Sequence, residues 1–149
     1  MFNLNVSKVA AIDYGEKRIG YAVSDSMHVI AISRDTFVEK NMKYIKEVME
    51  KDNVKIVVVG LPSIKDGKIT KIVEKINLFC ENLKLNDQFI VINVDESYSS
   101  QRASELMLEN GTKKNKRKEK GSLDKIVASI LLQDFLDSQD FANNYKKLL

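Results

Sequence analysis

Ala11-Ile12-Asp13-Tyr14-Gly15-Glu16-Lys17-Arg18-Ile19-Gly20-Tyr21-Ala22-Val23-Ser24-Asp25 holds two apolar runs on either side of a short polar turn. The first run, residues 9–12, is continuous enough to be a buried strand, and it ends on a carboxylate, Asp13. Two strands joined this closely make a hairpin, with Asp13 near the end of the first. Burying a carboxylate there is costly unless something cationic meets it. Gly15 and Gly20 suit tight backbone geometry or the close approach of another backbone or ligand. Lys17 and Arg18 bring positive charge beside that spot. Taken alone, the segment is equally well explained as a solvated hairpin turn.

Outward from this hairpin, strands and helices follow each other by pattern. Residues 8–13 and 19–24 form the first two strands, and residues 29–37 hold a third. Met42, Ile45, Val48 and Met49 recur at helical spacing, with Asn41 placed to cap the helix. Residues 54–59 are a β-branched run ending in Gly60-Leu61-Pro62, apolar enough for a strand covered on both faces. Ile69, Ile72, Val73, Ile76, Cys80 and Leu83 stripe a second helix, and residues 89–94 form a fifth strand that ends on Asp95 and Glu96. Ser99 or Ser100 caps a further helix carrying Ala103, Leu106 and Met107, and Asn110-Gly111 stops it. A last helix follows Gly121-Ser122 with Leu123, Ile126, Val127, Ile130, Leu131 and Phe135 on its apolar face. From about residue 138 the chain turns polar and is expected to fray, with Tyr145, Leu148 and Leu149 able to dock. This order predicts one α/β domain over residues 1–149, a mixed five-stranded sheet flanked by helices, with residues 138–149 as a C-terminal tail.

Three acids share one kind of position. Asp13 closes the first strand, Glu96 follows the last, and Asp124 opens the last helix. If the first, fourth and fifth strands run parallel, their C-terminal ends lie on one edge, where open α/β sheets bind ligands. With Ser122 as N-cap, Asp124 is the second helical residue, where the macrodipole favours a negative side chain. Converging carboxylates repel and raise one another's pKa unless cations neutralise them. Mg²⁺ or Mn²⁺ removes that conflict, and two such ions activate water and stabilise the leaving oxygen of a phosphodiester. No cysteine or histidine cluster favours zinc. Lys113, Lys114, Lys116, Arg117, Lys118 and Lys120 precede Asp124 as a basic loop suited to phosphate backbones in a salt-sensitive, sequence-independent way. A solvated charge run is the alternative for that loop taken by itself.

The chain has 149 residues and a formal charge of +3, so net charge says little about partners. The single cysteine excludes an internal disulfide framework and fits a reducing compartment. Cys80 falls in an apolar helical stripe as a structural thiol, and His28 lies in a turn as a surface residue without a role. No apolar run is long enough to span a bilayer and no secretory pattern opens the chain, so the expected location is the cytoplasm.

Asp13-Tyr14-Gly15-Glu16-Lys17-Arg18-Ile19-Gly20, with Ala22-Val23-Ser24-Asp25 after it, resembles the opening signature of the bacterial YqgF/RuvX family. The same order continues through Val59-Gly60-Leu61-Pro62, Asp66-Gly67 and Asp95-Glu96 to the basic run and Lys120-Gly121-Ser122-Leu123-Asp124. The similarity covers nearly the whole chain, and the motifs are specific in combination. It implies an RNase H-like fold and a divalent-metal nuclease site formed by Asp13, Glu96 and Asp124. Asp95 ranks below them, because neighbouring strand residues point to opposite faces. It also implies processing of the 5′ end of precursor 16S rRNA, the family having earlier been described as a Holliday junction resolvase. Two positions depart from the family pattern: Ser97 stands where an arginine is common, and Val127 replaces the first alanine of an Ala-Ala pair.

The expectation is a metal-dependent endonuclease of structured RNA, monomeric or homodimeric, with no membrane partner. Lys17, Arg18 and the basic loop would hold the flanking backbone. A DNA-junction resolvase shares the same chemistry; RNA and DNA differ by the 2′-hydroxyl and helix form, and nothing in the sequence decides which is read. A non-catalytic RNA-binding ribosome assembly factor is a third reading. Actin-like ATPases and sugar kinases also begin with Asp-x-Gly, but they need two such domains, and this chain is too short for both.

Overall fold

The computed structural model describes residues 6–38, 40–63, 70–96, 105–106 and 120–149, and of residues 120–125 the backbone alone. Five strands form one sheet: β1 (Lys8–Tyr14), β2 (Ile19–Ser24), β3 (Ala31–Ser33), β4 (Val54–Leu61) and β5 (Ile90–Asp95), in the order β3-β2-β1-β4-β5. β1 and β2 are the expected antiparallel hairpin, and β3 adds antiparallel to β2. β4 lies parallel to β1, and β5 parallel to β4. The parallel trio therefore ends on one edge. α1 (Met42–Lys51) and α2 (Lys71–Lys84) precede β4 and β5, and α3 (Lys120–Leu136) comes last.

Side chains alternate across a strand, so each strand of the trio feeds two cores. Ala10, Ile12, Val57 and Val59 pack with Ile45 and Met49 of α1 and Ile76, Cys80 and Leu83 of α2. Val9, Ala11, Ile56 and Val58 pack with Val127, Ala128, Leu131, Leu132 and Phe135 of α3. Burial on both faces is why residues 56–59 read as a continuous apolar run. Asn41 caps α1 as expected, its Oδ1 accepting the Tyr44 N–H at 3.2 Å. Cys80 is buried among these apolar groups. Among the described residues, no helix is long and apolar enough to cross a membrane.

Four expectations need correction. The third strand is only Ala31–Ser33, because Asp25 Oδ1 accepts the Val29 and Ile30 amides and closes a turn there. α3 begins at Lys120, so Ser122 is not its N-cap and Asp124 is the fifth helical residue, beyond the first turn where a macrodipole argument applies. The C-terminal segment is docked: Phe141–Tyr145 form a π-helical turn and Lys146–Leu148 a 3₁₀ turn. Phe141 and Tyr145, four residues apart, both pack on Phe135, while the Lys55 ammonium donates to the Leu148 carbonyl at 2.7 Å. His28 belongs to the same contact, with its ring edge-on to Phe141 and Nε2 2.7 Å from the Ser7 carbonyl. The expected helix around Ala103 and Met107 and its Asn110-Gly111 stop lie outside the described residues; Glu105 and Leu106 are helical.

β3 is an outer strand, and α3 covers part of its free edge. Gln133 Oε1 accepts the Ala31 N–H at 3.0 Å, and its Nε2 donates to the Val29 carbonyl at 2.9 Å.

Truncating the docked tail at its anchor should be severe. Phe141 is 2% exposed, and Phe141→Ala should lower the unfolding free energy by about 3–5 kcal/mol. Urea denaturation measures this; a loss below about 1 kcal/mol would mean the tail adds little to the core.

Candidate active site

Strand parity decides which acids meet. Val9 and Ala11 face α3, so Asp13 does too; Ile56 and Val58 put Gly60 on that face, and Ile90, Ile92 and Val94 do the same for Glu96. The pairing brings these positions level. Ile12 lies opposite Val59 in β4, and Gly60 opposite Val94 in β5. Glu96 is held at the strand end by its amide, which donates to the Leu61 carbonyl at 2.9 Å. Asp13 is paired across the hairpin with Gly20, which adds no side chain beside it.

Gly60 has no freedom to be anything larger while Glu96 stays where it is. A Cβ at residue 60 would lie 2.6 Å from Glu96 Oε2, 3.0 Å from Glu96 Cβ and 2.9 Å from Leu131 Cδ1. The glutamate side chain thus folds directly over the β4 backbone toward Asp13. In the turn, Gly15 meets a similar limit: its amide donates to the Arg18 carbonyl at 2.9 Å, and a Cβ would sit 2.7 Å from that oxygen.

The two carboxyl groups meet at hydrogen-bonding range. Glu96 Oε2 is buried, and among the described residues no donor reaches it. Burial first, and then the adjoining Glu96 carboxyl, push Asp13 up to about 8. Burial and the facing Glu96 carboxyl thus favour the protonated form of Asp13, and a cation bound there would have to displace that proton. A donor set of hard oxygens, one of them buried and unsatisfied, fits Mg²⁺ or Mn²⁺.

The other expected site residues divide. Asp95 points to the opposite face and is exposed, with the Ser63 hydroxyl 3.4 Å from its Oδ1. Lys17 and Arg18 sit in the β1–β2 turn directly beyond Asp13. Asp124 lies in α3, four residues before buried Ala128 and seven before Leu131, the residue that reaches Gly60. Its side chain lies outside the described residues, as do those of Lys113, Lys114, Lys116, Arg117, Lys118 and Lys120. Among the described residues no group of three potential metal ligands occurs. The role of Gly60 escaped the sequence, where it read only as the end of a strand; the small residue level with a strand-end acid was the available signal.

This architecture recurs in proteins that act on branched nucleic acids. RuvC of T. thermophilus, in complex with a Holliday junction substrate, has a TM-score of 0.55 at 16% identity, over 87% of this chain and 93% of its own. The fowlpox virus Holliday junction resolvase has a TM-score of 0.52 at 15% identity, over 87% and 97%. The chain has the RNase H-like fold of the RuvC-like resolvases. Relatives in sequence are closer: proteins of Flavobacterium johnsoniae, Amoebophilus asiaticus and Chlorobium chlorochromatii are 35%, 38% and 37% identical. They cover 90%, 89% and 89% of this chain and 99%, 96% and 96% of their own, each under the name "Putative pre-16S rRNA nuclease". The family model RuvX, described as Holliday junction resolvase, matches residues 7–138. This chain belongs to the RuvX family, a family of phosphodiester-hydrolysing enzymes.

The acid pair predicts a pH signature. Asp13 binds its proton more tightly folded than unfolded, so between about pH 4 and 8 the folded state carries more protons and stability falls as pH rises. In EDTA the melting temperature should decline across that window, Asp13→Asn should flatten the decline, and Mg²⁺ should offset it at the alkaline end. A wild-type profile as flat as that of the variant would contradict the assignment. Gly60→Ala should cost roughly 1–3 kcal/mol of stability, since the Cβ must push aside the Glu96 side chain from its Cβ outward and the Leu131 Cδ1 methyl. By displacing Glu96 it should abolish the Mg²⁺-induced rise in melting temperature, which differential scanning fluorimetry reads.

Proposed function

We propose that this protein is a divalent-metal-dependent nuclease that acts on structured RNA in the 5′-end processing of precursor 16S rRNA. One observation carries the metal-dependent part: two side chains that repel when ionised are packed together, with a buried oxygen that no described donor reaches. A purely structural pair would gain by replacing one acid with an amide. The RNA substrate is supported by the names of the relatives at 35–38% identity.

Asp13 and Glu96, with Asp124 from α3, would hold Mg²⁺ or Mn²⁺. When bound, such ions neutralise the acids, polarise the phosphodiester and lower the pKa of the attacking water. The remaining work falls to the chain. Gly60 admits Glu96 over the β4 backbone, and Gly20, level with Asp13 across the hairpin, places no side chain beside it. To ligate a cation Asp13 would have to be ionised, so metal affinity should rise with pH. Lys17, Arg18 and the basic loop would neutralise flanking phosphates. The buried thiol and the family's substrates suit the cytoplasm.

A four-way DNA junction is the second substrate to consider, because the matching family model bears that description. Cleavage of a precursor-rRNA fragment and of a DNA junction should be measured side by side with Mg²⁺, Mn²⁺ and EDTA. The RNA should be cut and cutting should need the metal, while Asp13→Asn should lose cleavage and keep RNA affinity within a few-fold. Preference for the junction would replace the substrate, and cleavage surviving Asp13→Asn would remove the proposed chemistry.

A further inference from the structure

The face of the sheet opposite Asp13 carries a second feature at the same edge. Tyr14, the next residue of β1, points away from the acids and packs its ring against Phe79 of α2, centroids 5.1 Å apart. Lys40, just before α1, lies over that ring with Nζ 4.4 Å from the centroid and donates to the Glu16 carbonyl. Lys75 of α2 lines the same cleft of about 230 Å³, together with Met42, Leu78 and Asn82. Lys46 of α1 donates to Asn82 Oδ1 at 3.1 Å and fixes that amide at the cleft.

We propose that the Lys40–Lys75 cleft binds backbone phosphates of the nucleic acid that runs past Asp13, as a contact on the reverse side of the sheet edge. The inference rests on the nuclease reading above and extends it from the cutting site to the flanking strand.

Two ammonium groups brought into one cleft repel, and solvated lysines have no reason to stay together. Desolvation and then the Lys75 charge hold Lys40 below its usual range, with Glu16 as the partial offset. Lys40 is fixed rather than waving: a carbonyl and an aromatic face hold it, and a lysine ammonium has two further donors to offer. The cleft is too small and too open for a buried cofactor, but it suits a phosphate, which would relieve the repulsion. A nucleobase is a poor occupant, because Lys40 already covers the exposed side of Tyr14. Since Asp13 and Tyr14 are consecutive and face opposite ways, a strand bent over the sheet end would touch both within a few nucleotides.

The test is a salt titration with a mixed-sequence single-stranded RNA of roughly 20 nucleotides, the backbone-neutralisation regime. Wild type, the double variant Lys40→Gln/Lys75→Gln, and the charge-matched control Lys51→Gln/Lys84→Gln are compared by fluorescence anisotropy. If two phosphates are contacted, the slope of log K against log salt should fall by about 1.4 in the cleft variant. The control pair, at the far ends of α1 and α2, should keep the wild-type slope. An unchanged slope in the cleft variant, or an equal fall in the control, overturns the proposal. RNA binding that depends on the cleft in a wild-type protein unable to cut any nucleic acid would sink the nuclease reading and leave the phosphate contact standing. A wild type that binds no RNA sinks both.

Discussion

Two carboxyl groups pressed together, with Glu96 Oε2 buried and reached by no donor among the described residues, are the constraint that the rest of this structure serves. Such a contact is unfavourable by itself, and it persists only because the surrounding backbone leaves the side chains no better place. Asp13 and Glu96 each occupy the end of a parallel strand, on the parity that faces α3. Gly60 between them supplies the gap through which Glu96 leans. Moving β1 or β5 by one residue would turn an acid to the other face and separate the pair, and moving β4 would take Gly60 from between them. Register, which elsewhere merely sorts apolar residues, here sets the chemistry.

The two cores make that register rigid. On the α1/α2 side, Ile12 and Val59 are fully buried immediately before Asp13 and Gly60; on the α3 side, Ala11 and Val58 do the same two residues back. A small irregularity between Lys8 and Val9 marks the start of β1, where the Val9 amide donates to the buried Ser24 hydroxyl at 3.0 Å. The irregularity lies at the end of the strand away from the acids. The pairing is therefore regular where alignment matters, from Val9 to Ile12.

Much of this was legible from residues alone. Continuous apolar runs gave the parallel strands, helical spacing gave α1 and α2, and the acids at strand ends pointed to one edge. What the pattern lacked was pairwise information. Gly60 looked like punctuation because the atom that excludes a side chain there belongs to Glu96, distant in sequence. Phe141 was not among the tail residues expected to dock, because its partners, Phe135 and His28, lie in other elements. Asp25 shortened β3 through hydrogen bonds from two amides further on, which composition does not encode. The Lys40–Tyr14 contact depends on where α1 begins relative to the hairpin turn.

Gln133 has a consequence for how copies of the molecule treat one another. Its amide offers one acceptor and one donor to the outside of β3, the same pair of groups that an arriving strand would offer. Around it, Met27, Val29, Ile30 and Ile32 are exposed and would otherwise make this rim adhesive. A neighbour seeking to extend the sheet sideways would first have to evict a side chain anchored in the helix that also carries Asp124. The helix that packs behind Gly60 thereby occupies one N–H and one C=O of this rim.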